Sequence, residues 1–491
     1  MKSKLFVIKI IILILTGNNL YPQINLEWAY CFGEAYYESC WDMTTTSDGD
    51  FVLVGELFTS YGIWKIDGNG NTIWTKHIGG YSLDRAEHII QTHDQGFIIS
   101  GRSRSDEGDV SGHHGTDDFS DFWIVKLNSE GEIDWEKSYG GSDDDVSYCI
   151  EETLDGGYIA VGYAKSIDGD ISQNYGNADY WVVKLNSEGN IEWEKTYGGI
   201  YDDFARSVIC LSSGNFLVFG YSNQDFYAIM IDDTGQIIWQ KTYGGTSLEQ
   251  ASAACMTNDN GFLLIGDTQS SNGDVTGHYG GQDVWIVKID NEGNKIWANC
   301  YGGTNGENGY SIISTLDGNY MFVAHSASSD YDLTNNYGHY DLWVGKINSN
   351  GQLIWQNSYG GSDKDSGYAI HEINETSFVI AGTTYSNDID VHNNNGNSDA
   401  WLIKLSSHTK VKNNNQKDIY IYPNPATNKI YLTNLNITFD RIVLFNSTGD
   451  KIFSEENYSK NWIDIEALQN GIYLLYLFKD NEIEVKRIVK V

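Results

Sequence analysis

The sequence of 491 residues is poor in proline, in positive charge and in cysteine. It has 3 prolines among 52 glycines, and 31 Lys and Arg against 67 Asp and Glu, giving a formal charge of −36. This excess of negative charge excludes a general nucleic-acid-binding protein and opposes binding to anionic membranes, whereas it favours cations and solubility. The 6 cysteines form no C-x-x-C or zinc pattern, so we expect most of them to be small buried side chains.

Long apolar runs are missing beyond the start of the chain. The start, MKSKLFVIKIIILILTG, has a short basic region and an apolar run that is too short for a comfortable membrane span. It predicts a secretory signal peptide over residues 1–23, with cleavage near Gln23. We therefore expect an exported mature chain that has no transmembrane span and is a monomer.

One short phrase recurs along the chain with small changes. IEWEKTYGGIYDD begins at Ile191, and related phrases begin at Ile133, Ile237 and Leu353. The aligned tryptophans are Trp28, Trp74, Trp135, Trp193, Trp239, Trp297 and Trp355. Their intervals of 46, 61, 58, 46, 58 and 58 residues indicate a repeat architecture.

Each repeat contains four strand-like segments separated by tight turns, and we name them strands A to D. Four antiparallel strands repeated radially predict a β-propeller blade. The chain starts with a lone D strand, LEWAYCFG, and the last repeat stops at Leu405 without one. We therefore predict an all-β fold: a seven-bladed β-propeller over residues 24–405, closed by the N-terminal strand. A β-solenoid, the alternative, leaves the lone strand unexplained and needs capping units.

Acidic residues recur at two fixed places in the repeat. The first series precedes strand A in every repeat and consists of Glu38, Asp84, Asp145, Asp203, Glu249, Glu307 and Asp365. The second precedes the aromatic residue of strand C and consists of Asp121, Asp179, Asp225, Asp283, Asp341 and Asp399. Such acids can fix a turn by accepting backbone hydrogen bonds. Alternatively, the first series rings the mouth of a central channel and binds cations or repels anions.

The B-to-C loops carry a different acidic pattern, [D/N/E]-x-D, in five repeats, whereas the first and fourth repeats have almost no loop. The candidate metal ligands are Asp109, Asp168, Asp170, Asp274, Asp330, Asp332, Asp388 and Asp390. Alternate carboxylates suit Ca²⁺, the candidate cofactor, but Asx turns explain the same residues and the later Glu of an EF-hand is missing. Tyrosine and histidine beside these acids are typical of a sugar-binding surface, and the two missing loops leave gaps for a ligand groove.

Catalytic motifs are missing: there is no H-E-x-x-H, G-x-S-x-G or P-loop, and we name no catalytic residue. The leading hypothesis is a non-catalytic binding module whose loop-rich face contacts a polysaccharide or a protein. One alternative is a polysaccharide-degrading enzyme that uses acids on that face. Another is a structural surface protein.

The repeat pattern D-x-W-x-V-K-L-x-x-x-G-x-x-x-W-x-x-x-Y-G-G-x-x-x-D resembles bacterial propeller repeats with a YGGSGDD signature. The likeness covers residues 24–405. It implies a propeller fold and a location outside the cytoplasm, and it implies no reaction.

The sequence changes character after Leu405. Residues 406–417 are polar and read as a linker, and residues 418–491 alternate like a small β-sandwich. The segments YPNPA, LFNSTGDKIF, LQNGIYLLYL and KRIVKV resemble the type A C-terminal sorting domain of the type IX secretion system. The matching residues include Tyr422, Pro423, Asn424, Pro425, Gly471, Lys486 and Arg487. The resemblance implies that the secretion machinery is a partner and that the protein is secreted or displayed on the cell surface.

Overall fold

The computed structural model describes residues 24–407, 421–422, 426–432, 439–446, 451–460, 462–479 and 482–491. All the regular secondary structure in these ranges consists of β-strands. The chain divides into two compact units between Ser407 and residue 408. The predicted signal peptide, residues 408–417 of the predicted linker, and Pro423, Asn424 and Pro425 lie outside the described residues.

Residues 24–407 fold into 28 strands. The first fifteen are β1 (Asn25–Phe32), β2 (Glu38–Thr45), β3 (Phe51–Leu57), β4 (Ser60–Ile66), β5 (Thr72–Ile78), β6 (Asp84–Gln91), β7 (Phe97–Ser103), β8 (Asp121–Leu127), β9 (Ile133–Tyr139), β10 (Asp145–Glu152), β11 (Tyr158–Ala164), β12 (Asp179–Leu185), β13 (Ile191–Tyr197), β14 (Asp203–Cys210) and β15 (Phe216–Ser222). The others are β16 (Asp225–Ile231), β17 (Ile237–Tyr243), β18 (Glu249–Met256), β19 (Phe262–Thr268), β20 (Asp283–Ile289), β21 (Lys295–Tyr301), β22 (Glu307–Ser314), β23 (Tyr320–Ser326), β24 (Asp341–Ile347), β25 (Leu353–Tyr359), β26 (Asp365–Asn374), β27 (Ser377–Thr384) and β28 (Asp399–Ser406).

These strands form seven four-stranded antiparallel sheets within residues 24–407. Sheets 1 to 6 each take four consecutive strands in the order A-B-C-D, starting with β2–β5 and ending with β22–β25. Sheet 7 combines β26, β27 and β28 with β1, so its D strand comes from the beginning of the chain. In that pair Trp28 lies opposite Lys404 and Cys31 lies opposite Trp401.

The hydrophobic core lies between neighbouring sheets. One cluster joins Val54 of sheet 1 to Ile99 and Val125 of sheet 2, and another joins Leu53 of sheet 1 to Leu402 of sheet 7. The apolar side chains that alternate along each strand are therefore buried on both faces of the sheet. The A strands of all seven sheets line one cavity of about 610 Å³.

The repeated phrase Y-G-G-x-x-x-D lies at the junctions between sheets. In sheets 2 to 5 the tyrosine hydroxyl donates to a carbonyl in the C-to-D turn of the following sheet, as Tyr139 does to Gly189 O at 2.6 Å. A Cβ on the first glycine would collide with carboxyl oxygens: on Gly360 it would lie 2.6 Å from Asp341 Oδ1 and 2.6 Å from Asp365 Oδ2. The phrase recurs because most junctions between sheets use these contacts; sheets 1 and 7 have Ile78 and Phe32 in place of the tyrosine.

The second unit has two sheets in its described residues. One contains β29 (Ile421–Tyr422), β30 (Lys429–Leu432) and β33 (Trp462–Asp464). The other has the order β32-β31-β34-β35 and contains β31 (Phe439–Asn446), β32 (Lys451–Tyr458), β34 (Gly471–Lys479) and β35 (Glu482–Lys490). Ile430, Ile442, Ile463 and Leu475 belong to the shared core. Tyr422, Gly471, Lys486 and Arg487 lie on strands β29, β34 and β35.

Candidate functional site

The acids that precede strand A are buried in all seven sheets. Asp365 accepts hydrogen bonds from the Gly361 amide at 2.7 Å and the Ser386 hydroxyl at 2.8 Å. Glu38 differs because it lies opposite Leu57, which has no hydroxyl to donate. Within residues 24–407, none of the seven lines the cavity between the A strands. The geometry supports the turn-fixing interpretation, and the channel-mouth role stays a prediction.

The second acid series meets the first at the junctions between sheets. Asp283 Oδ2 accepts the Tyr279 amide at 2.7 Å, which fixes the end of the B-to-C loop. Its other oxygen points to the glycine that also contacts Glu307 of the next sheet. Burial, followed by the charge of a neighbouring carboxylate, raises the pKa of Asp283 to about 6 and that of Asp341 to about 7. Six carboxyl pairs of this kind follow from the two series, since sheet 1 has Gly62 in place of the second acid.

The predicted metal ligands of the B-to-C loops contact the preceding D-to-A turn. Asp109 Oδ2 accepts the Gly79 amide at 3.1 Å, and Asp332 Oδ2 accepts that of Gly302 at 3.1 Å. The other acceptors of this second position are Asp170, Asp274 and Asp390. At the first position, Asp168, Asp330 and Asp388 accept amides of Ser142, Thr304 and Ser362. In the described ranges no three His, Cys, Asp or Glu side chains are placed to share a metal ion, and Ca²⁺ binding stays an untested alternative to turn chemistry.

The opposite ends of the sheets, where the A-to-B and C-to-D turns lie, carry a third acid that the sequence analysis did not single out. Asp259 Oδ2 lies 2.7 Å from Lys288 Nζ, and Lys184 lies 2.9 Å from Asp155 and 2.8 Å from Glu192. The lysine side chains are buried, whereas Asp259 and Asp155 are more than half exposed. We call this end the turn side and the end with the D-to-A and B-to-C connections the loop side.

The cavity between the A strands is lined by residues that differ from sheet to sheet. Each A strand has a β-bulge at its fourth residue, and a bulge redirects the side chain. The bulge residues are Trp41, Glu87, Tyr148, Arg206, Ser252, Tyr310 and Tyr368. Sequence reasoning missed them, and the available signal was one position of the repeat that holds five different residue types in seven copies.

A cysteine and a histidine meet in the same cavity. His88 Nε2 lies 3.7 Å from Cys149 Sγ and 3.6 Å from Asp42 Oδ2, and His88 Nδ1 accepts the Ile150 amide at 3.4 Å. In a catalytic Cys-His-Asp arrangement the thiol and the carboxylate contact opposite ring nitrogens. Here both contact Nε2, so this cluster lacks that arrangement.

Exposed tyrosines are concentrated on the loop side. Nine lie in or directly beside its connections: Tyr36, Tyr37, Tyr81, Tyr175, Tyr201, Tyr279, Tyr331, Tyr337 and Tyr385. In the rest of residues 24–407 only Tyr30, on β1, is comparably exposed. Tyrosine is favoured at binding surfaces because it offers an apolar ring and a hydroxyl.

Two further cavities lie beside sheets 4 and 1, which lack a long B-to-C loop. Asn223 and Gln224 alone connect strands B and C of sheet 4, and the cavity beside it measures about 740 Å³. The cavity beside sheet 1 measures about 310 Å³ and is lined by Trp64 and His77. The predicted gaps in the loop side therefore coincide with cavities.

The tail matches a known family. Residues 420–491 match the model of the secretion system C-terminal sorting domain. The protein is therefore exported to the cell surface or secreted, and its tail interacts with the secretion machinery. None of the described residues forms a helix that is long and apolar enough to span a membrane.

The search of curated proteins found no significant match. Among solved structures, the chain is similar to the extracellular domain of a proposed one-component system from B. thetaiotaomicron, with 12% identity and a TM-score of 0.43. The match covers 94% of this chain and 59% of that one, less than two thirds of its length. It is similar to the Pan2 WD40 domain of Neurospora crassa (10% identity, TM-score 0.44, covering 79% and 97%). It is also similar to YCF48 bound to D1 peptide, with 11% identity and a TM-score of 0.42. That match covers 78% of this chain and 96% of the other.

Proposed function

We propose that residues 24–405 form a closed seven-bladed β-propeller and that the exported protein is a non-catalytic binding module for a polysaccharide or a protein. The observation that carries the binding role is the concentration of exposed tyrosines on the loop side. Tyr81 is 83% exposed, Tyr331 66% and Tyr201 54%. Large aromatic side chains that gather on one surface of an exported protein mark an interaction site.

The acids of the loop side support binding rather than catalysis. A glycosidase needs two carboxyl groups that reach the sugar. In sheets 2 to 7 the repeated carboxyls are directed to backbone amides and to each other. Fewer carboxyl groups are therefore free to act on a sugar than the number of acids in the sequence suggests, which disfavours a polysaccharide-degrading enzyme.

Binding is tested with purified surface polysaccharides and surface proteins immobilised separately. We expect the full chain to bind at least one of them in a saturable manner, and Tyr81→Ser, Tyr175→Ser, Tyr201→Ser and Tyr331→Ser combined to abolish the binding. Tyr30→Ser is the matched control because Tyr30 is 41% exposed but lies on β1. Shortening of a polysaccharide by the full chain would favour the enzyme, and no saturable binding would favour a structural protein.

Ring closure is tested by a crosslink between the two ends of the repeat region. Trp28 and Lys404 face each other in the β1–β28 pair. We expect Trp28→Cys with Lys404→Cys to form a disulfide within one chain. The control, Trp28→Cys with Lys346→Cys, uses the equivalent lysine of sheet 6 and should stay reduced. Equal crosslinking of both pairs would contradict closure.

A further inference from the structure

The loop-covered sheets show what normally occupies the place that is vacant in sheet 4. In sheet 2 the loop residue Ser111 donates its hydroxyl to Glu136 Oε1 at 2.5 Å. In sheet 6 the loop hydroxyl of Thr334 accepts from Gln356 Nε2 at 3.1 Å. Glu136 and Gln356 are both the fourth residue of a D strand. A loop hydroxyl therefore satisfies this position in two of the five sheets with a long loop. In sheet 3 the Ser172 amide donates to Glu194 Oε1 at 3.2 Å instead, and sheets 5 and 7 have Ala298 and Ala29 there.

Sheet 4 has the same D-strand position but no loop above it. Gln240 is its fourth residue, and it is exposed. Its Oε1 accepts the Tyr227 hydroxyl at 3.0 Å, and within residues 24–407 its amide nitrogen has no hydrogen-bond partner. Tyr227 replaces the tryptophan that is fully buried in sheets 2, 3, 5, 6 and 7, so an aromatic ring is accessible beside the amide.

The groove between sheets 3 and 4 contains these two residues, and its neutral hydrogen-bonding groups are only partly used by contacts within the chain. Its charged side chains are already engaged, because Glu194 accepts the Trp181 indole at 2.9 Å and Lys195 donates to Thr234 O at 2.8 Å. Tyr175 and Gln240 stay exposed at its wall. The volume of about 740 Å³ is that of a small-molecule site.

We propose that this groove binds a neutral oligosaccharide, one sugar hydroxyl taking the place that the Ser111 or Thr334 hydroxyl has in the loop-covered sheets. The inference rests on the proposed binding function and names its ligand class and place. A sugar supplies hydroxyls for Gln240 and an apolar ring face for Tyr227 and Tyr175. The net charge of −36 disfavours an acidic glycan over a neutral one.

Point variants of the full chain test the groove by calorimetric titration with short neutral oligosaccharides. We expect Gln240→Ala and Tyr227→Ala each to raise the Kd about tenfold, the effect of losing one hydrogen bond or one ring contact. Gln356→Ala is the matched control, since Gln356 occupies the same place under a loop, and its Kd should equal that of the wild type. Thermal melting checks that each variant is folded.

A loop graft tests the same site without removing any of its residues. Replacing Asn223 and Gln224 with the sheet 5 loop, residues 269–282, should fill the groove and abolish sugar binding. Sugar binding that survives the graft, or that keeps the wild-type Kd in Gln240→Ala, overturns the groove, while the proposed binding function stands. A wild-type chain that binds a surface protein but no neutral sugar also overturns the groove alone. A chain that binds neither overturns both proposals.

Discussion

The loop side and the turn side of the repeat use aspartate in opposite ways. On the loop side, carboxyls are buried in pairs, and burial is the main cause that raises the pKa of Asp145 to about 7. On the turn side, hydrogen bonds from Lys288 and Thr257 lower the pKa of Asp259 to about 2. One residue type, repeated around the same fold, is thus easier to protonate at one end and harder to protonate at the other.

This difference teaches where function should be sought in a repeat protein. The two acid series of the loop side recur because most junctions between sheets use them as hydrogen-bond acceptors, so their abundance reflects the architecture of the repeat rather than a binding site. Some residues differ between the copies, such as Arg206 in the central cavity and Tyr227 beside the short loop. Their side chains are not required by the repeated architecture. The candidate sites lie where the repeat changes.

Of the effects that test the difference between the loop side and the turn side, we expect the largest to be the dependence of the melting temperature on pH. A carboxyl whose pKa is higher in the folded chain keeps its proton more tightly when folded, so its contribution is complete below about pH 4 and is lost as the pH rises through 6 to 7. With several such pairs, we expect a higher melting temperature at pH 5 than at pH 8. Asp341→Asn should reduce this difference. An unchanged difference in that variant would assign it to general charge repulsion.

Removing one loop-side acid should have the next largest effect. Asp365→Ala leaves the buried Gly361 amide and the Ser386 hydroxyl without their acceptor, and we expect a loss of about 3 kcal/mol in the free energy of unfolding. Chemical denaturation measures it. Glu38→Ala is the control, since Glu38 faces Leu57 rather than a hydroxyl, and it should cost less. Equal losses would contradict the turn-fixing role.

Removing one turn-side acid should have a smaller effect. Asp259→Asn leaves Lys288 buried with the Tyr320 hydroxyl at 3.3 Å as its remaining side-chain partner. Because Asp259 is more than half exposed and screened by water, we expect a loss of about 1 kcal/mol by denaturation. Asp155→Asn should cost less, since Lys184 keeps Glu192. A larger loss in Asp155→Asn would reverse the ranking.

Calcium should have the smallest effect. The loop carboxylates already accept backbone amides, so we expect the melting temperature in millimolar Ca²⁺ to stay close to that in EDTA. A site filled at about 100 times its Kd would instead add about 2.7 kcal/mol. Such a rise, if it is reversed by Asp170→Ala or Asp274→Ala, would establish the loops as metal sites. It would contradict a purely structural role for these acids.

The sequence predicted the strands better than the sites. In the repeat around Trp193 the first seven residues of the phrase that begins at Ile191 form strand β13, because alternation and flanking glycines define such strands locally. The β1–β28 pairing was expected from counting strands. The Lys288–Asp259 contact and the cavity shared by Tyr148 and Arg206 were not, since they depend on which distant residues the packing brings together.

The pairing of β1 with β28 also bears on which chains carry the sorting domain. The edge of sheet 7 stays open until its last strand has been made, and the sorting domain follows that strand directly in the chain. A chain broken off before β28 would keep an open, aggregation-prone edge and would also lack the sorting domain. The sorting domain is therefore present only on chains that also contain the last strand of sheet 7.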